Sequence, residues 1–137
     1  MHSTQTNDSS AEGLHRLLED WRALTLAEAA SIKVGDWNGL EELHAKKLVL
    51  QHLIEDSQAR FSSNESISLE KRAAVKQQLK QIASQLLALE EKNRTTLSEQ
   101  MAQADTQLKI SNKAISSLRH VQQAYGVSDR SFWQAYS

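Results

Sequence analysis

The sequence predicts an all-α protein: an elongated antiparallel helical hairpin or bundle of three helices, the third very long, with flexible termini. Three observations carry this expectation. The 137 residues contain no proline and only four glycines, so little along the chain can break a helix. Apolar residues recur at spacings of three and four over most of its length. Aromatics make up only 5% of the chain, while Ala, Leu, Gln, Glu, Lys and Ser dominate. That composition suits long helices lying side by side better than a thick core.

Residues 1–10 are polar and read as a disordered tail. The chain from 11 to 125 reads as a single helical domain. Its first helix, about 11–34, carries Leu14, Leu17, Leu18, Trp21 and Leu24 on one stripe that ends in the polar Glu28. Two of the four glycines then fall close together in "VGDWNG". Gly35 suits the residue after a helix end, where a left-handed backbone is needed. Asp36 suits the N-cap of the next helix. Gly39, in the first turn, either admits a close neighbour or lets the turn flex; the expectation is a tight helix–helix joint held by Trp37 as an apolar clasp. The second helix, about 37–60, turns Leu40, Leu43, Leu50, Leu53 and Ile54 inward. "FSSNESIS", residues 61–68, reads as a loop, with Ser68 capping the third helix.

From Leu69 to Tyr125 no Pro or Gly occurs, and an unbroken rod of that length would reach about 85 Å. Its stripe runs Leu79, Ile82, Leu86, Leu89, Asn93, Leu97, Met101, Ala104, Leu108, Ser111, Ile115, Leu118, Gln122 and Tyr125. Three successive spacings of four around Asn93 mark a change of winding, and a buried Asn there fixes register. Past Met101 the stripe weakens, which predicts a distal half without a strong partner inside the molecule. Gly126 stops the helix. The tail, residues 126–137, gathers Phe132, Trp133 and Tyr136, either to fold back onto the bundle or to meet a partner.

Charge divides along the chain. Residues 1–68 hold six Lys and Arg against eleven Asp and Glu, and residues 69–125 hold nine against five. The two halves suit packing on each other or meeting partners of complementary sign. Neither half is basic enough for nucleic acid to be the main ligand. No stretch is apolar enough for membrane insertion or a signal peptide, and the default location is cytoplasmic. The absence of Cys removes thiol chemistry and thiolate metal sites.

The residues also speak against catalysis. His44 and His52 are eight apart, too far to share an ion on one helix. Glu41 with Glu42, Glu55 with Asp56 and Glu90 with Glu91 are sequence neighbours, so each pair points apart. There is no phosphate loop and no nucleophile elbow. No enzyme activity, metal or cofactor is expected.

"VGDWNGLEELHAKKLVLQHLIED" resembles the joint between the first two helices of FlgN-type flagellar export chaperones. "NRTTLSEQMAQADTQLKISNKAISSLRHVQQAYG" is similar to the last helix of that family, which ends in Tyr-Gly. The resemblance implies a cytoplasmic chaperone that binds hook–filament junction proteins and delivers them, monomeric, to the flagellar type III export gate. It implies client binding through the C-terminal part of the last helix, where Leu108, Ile115, Leu118 and Val121 would contact the client's terminal helices. Tyr125 would dock at the export gate. Alternatives within reach of the same pattern are a filament-cap chaperone, an export-ATPase stalk, or a structural coiled coil that forms a homodimer through residues 101–125.

Overall fold

The computed structural model describes residues 2–107, 112–123 and 133, with side chains from residues 11–103, 114–123 and 133. Four helices succeed one another: α1 (His2–Val34), α2 (Trp37–Ser63), α3 (Leu69–Gln107) and α4 (Asn112–Gln123). The described chain is all-helical, as its periodicity predicts. Helix α1 packs against both α2 and α3, and α4 in turn contacts α2 and α3. Lys47 of α2 reaches back to Glu28, so α1 and α2 are antiparallel. Arg22 donates to Gln85 (2.6 Å) and Asn93 to the Thr25 carbonyl (2.9 Å), so α1 and α3 run parallel.

The "VGDWNG" joint is built by hydrogen bonds that its residues make available. Gly35 adopts φ +76°, and its N–H donates to the Ile32 carbonyl while Asp36 N–H donates to the Ser31 carbonyl. This pair of bonds closes α1 through a left-handed residue where a Cβ is costly. Asp36 then caps α2, its Oδ1 accepting from Gly39 N–H at 3.0 Å. A Cβ on Gly39 would stand 2.8 Å from the Asp36 Cγ. The close neighbour that glycine admits is therefore the capping carboxylate. At the next joint Ser68 Oγ accepts from Lys71 N–H at 3.1 Å and caps α3.

Three expectations need correction. The third helix does not run as one rod over 69–125. Leu97 of α3 and Leu118 of α4 share one cluster of buried side chains, whereas along a continuous helix they would lie about 31 Å apart. Doubling back buries Leu118 and Val121 in one cluster with Ile32, Leu40 and Leu97. Residues 2–10, read as a disordered tail, continue α1, since nothing before Gly13 breaks a helix. Finally, α2 extends to Ser63, with Phe61 as its last buried residue rather than part of a loop.

Two apolar clusters form the interior. The main one joins Leu14, Leu18 and Trp21 with Leu50, Ile54, Leu79, Ala83 and Leu86, and takes in Trp133 from the C-terminal tail. The second, toward the joint between α1 and α2, joins Ile32, Leu40, Leu97, Leu118 and Val121, with Trp37 and Met101 packed at its edge.

Candidate functional site

Between the two clusters lies a charged layer. Glu28 of α1, Lys47 of α2 and Glu90 of α3 are each at most 1% exposed. Lys47 Nζ donates to Glu28 Oε1 at 2.8 Å and also to Glu90 Oε1. The same Glu90 oxygen accepts from Trp21 Nε1 at 2.9 Å and from Thr25 Oγ1 at 3.1 Å. The ammonium also stands 4.6 Å from the centre of the Trp21 ring. One lysine thus ties three helices together at a single level. Two carboxylates face it, and Glu28 Oε2 and Glu90 Oε2 have no hydrogen-bond partner among the described residues. His44 Nδ1 stands 3.7 Å from Glu28 Oε2.

Lys47, not expected on the inward face of α2, is buried there, whereas Leu53, expected inward, is 47% exposed. The signal was present in the spacing. Leu40, Lys47, Leu50 and Ile54 keep one face of α2, and Glu28 and Asn93 each stand as a polar residue on an otherwise apolar stripe. Three polar residues on three facing stripes are the trace of a buried polar layer. Its arrangement, one lysine between two carboxylates of other helices, suits fixing helix register.

Above that layer α4 lies in a groove. The floor is Ile32 of α1, Leu40 of α2 and Leu97 of α3, with Trp37 and Met101 at the sides. Leu118 inserts fully, at 0% exposure, and Val121 is next at 5%. Along one margin, toward α2, an open cleft is lined by Glu41, His44, Leu48, Ser117 and His120. Along the other, toward α3, Ile115, Arg119 and Gln122 face Ser98, Met101 and Ala102.

Of the residues assigned to client contact, Leu118 and Val121 come together in the groove, and Ile115 is half-buried at its α3 margin. Leu108 and Tyr125 lie outside the described residues, as do Phe132 and Tyr136 of the tail. At Leu118 and Val121 the expectation that the far end lacks an internal partner is overturned, since both are covered by the groove. Trp133 also has its place, in the main cluster and 1% exposed.

Among the described residues no group of three or more His, Asp or Glu is placed to hold a metal ion. No helix there is long and apolar enough to cross a membrane. No family model, curated protein or solved structure matches the chain.

Proposed function

We propose that this protein is a holding chaperone that binds an amphipathic helix of its client in the groove now filled by α4. The observation that carries the reading is that α4, twelve residues long, buries just Leu118 and Val121 among its described side chains. A helix this short is marginal in water by itself, so its order depends on the groove. Burying two such side chains contributes about 3–6 kcal/mol at most, so a competing helix has only a modest hold to displace.

On this reading α4 is a latch. A client helix enters the cleft between α4 and the groove and covers both apolar faces at once, the mode of an amphipathic helix laid in a groove. The side chains meeting it are Leu118, Val121 and Ile115 on α4, with Leu108 beyond, and Ile32, Leu40 and Leu97 on the floor. The resemblance to FlgN-type chaperones supplies the client class: hook–filament junction proteins, whose terminal helices associate when bare. Delivery to the flagellar export gate through Tyr125, in the cytoplasm, completes the proposal. The work is binding, with no reaction to catalyse and no cofactor.

The test is capture of junction-protein C-terminal segments by the full-length chain and by Leu118→Asp. The full-length chain is expected to retain them and the variant to lose them. Equal retention by both would overturn the assignment of α4 to the client.

A further inference from the structure

Helix α2 turns a second flank to solvent, on the side away from α4. There Val49 and Leu53, one helical turn apart, are 63% and 47% exposed. With Ala23 and Leu24 of α1 and the edge of Leu50 they line an open apolar groove between α1 and α2. Its rims carry one charge of each sign, Asp20 on α1 and Lys46 on α2. Neither forms an ion pair among the described residues, although other charged side chains of the bundle do. An apolar floor this exposed, with two charges left to solvent at its margins, is the composition of an interface rather than of a solvated face.

The pattern of charge selects the occupant. A groove with one acidic and one basic rim is complementary to itself. We infer that this groove is a homodimer interface in which two copies face each other across a two-fold axis lying in the plane of the groove. Such a contact is isologous, so each pairing occurs twice. An axis passing between Asp20 and Lys46 sets Asp20 of each copy against Lys46 of the other and closes the two apolar floors together. The α4 groove stays open to a client in both copies, because the two surfaces lie on opposite flanks of α2. This is a different surface from the 101–125 segment, of which Leu118 and Val121 are buried in the second cluster.

Sedimentation equilibrium over a range of concentrations tests the inference. The wild-type mass is expected to rise from 15.4 kDa toward twice that value. Val49→Glu, at an exposed position that leaves the helix intact by circular dichroism, is expected to hold the chain at the single-copy mass. Asp20→Lys and Lys46→Glu should each do the same, because each sets like charges together twice. An equimolar mixture of those two variants is expected to recover the dimer, since every contact across the axis is then attractive. A wild type that stays at 15.4 kDa throughout would overturn the inference. So would a dimer that survives Val49→Glu, or a mixture that stays monomeric while each single variant also does.

Discussion

Trp133 stands edge-on to Trp21, with ring centroids 5.0 Å apart and planes at 84°. The contact joins the end of the chain to the middle of its first helix. It also places an aromatic ring against the indole whose Nε1 holds Glu90, so the tail, the main core and the charged layer meet at one side chain. The C-terminal tail is therefore part of the fold through at least this residue.

Trp133→Ala would remove a ring that is 1% exposed and leave a cavity beside Trp21. The expected loss is about 3–5 kcal/mol of stability, in the range for a large aromatic truncated in a core. Urea unfolding followed by circular dichroism measures it. A loss under about 1 kcal/mol, the scale of an exposed substitution, would mean that the tail does not dock.

Lys47→Met keeps the length of the side chain and removes its charge, leaving Glu28 and Glu90 buried without their common partner. Breaking a buried ion pair from one side costs about 3–5 kcal/mol. Replacing Lys47, Glu28 and Glu90 together with apolar residues is expected to recover part of that loss, since the desolvation of all three charges disappears. The comparison of urea midpoints between the single and triple variants reads the result. A triple variant less stable than the single one would show that the layer contributes net stability.

At the joint, Gly35→Ala places a Cβ on a residue at φ +76° and is expected to cost about 1–2 kcal/mol. Gly39→Ala acts differently, by pushing the Asp36 carboxylate off its cap, and is expected to cost about 1 kcal/mol. Combining Gly39→Ala with Asp36→Ala separates the two effects. The double variant should be little worse than Asp36→Ala alone, because the cap that Gly39 protects is already gone.

Leu118→Asp introduces a charge at a site with 0% exposure, inside the second cluster. The expected outcome is undocking of α4 and loss of helical signal equivalent to its twelve residues, while α1, α2 and α3 stay folded. Far-ultraviolet circular dichroism and the thermal transition of the remaining helices check both halves. Global unfolding would show instead that α4 belongs to the same cooperative unit as the main core.

Much of this architecture was legible in residue spacing. Leu14, Leu18, Trp21, Leu79, Leu86 and Leu97 sit inward where a period of 3.6 places them. Gly35, Asp36 and Ser68 act as terminators and caps for reasons that residue chemistry alone supplies. Asn93 is buried on the stripe, as expected, and donates to the Thr25 carbonyl. The reversal between α3 and α4 was not legible. No Pro or Gly marks it, and the decision rests on a long-range term, the burial of Leu118 and Val121 against Ile32 and Leu40, which local pattern does not contain. Lys47 was missed for a related reason. A lysine on a leucine face reads as a solvated neighbour until two carboxylates from other helices are seen to meet it. Leu118 and Val121 were legible as apolar positions of the last segment, but not as the residues that fill a closed groove.

The central claim is that α4 exchanges partners. Hydrogen exchange of the backbone amides, with and without a junction-protein C-terminal segment, tests it most directly. In the protein alone, residues 112–123 are expected to exchange through local opening, well ahead of residues 47–54 and 86–97. Added segment is expected to slow exchange in α4 and around Leu40 and Leu97 together. An α4 already as protected as the main core, and unchanged by the segment, would contradict the account.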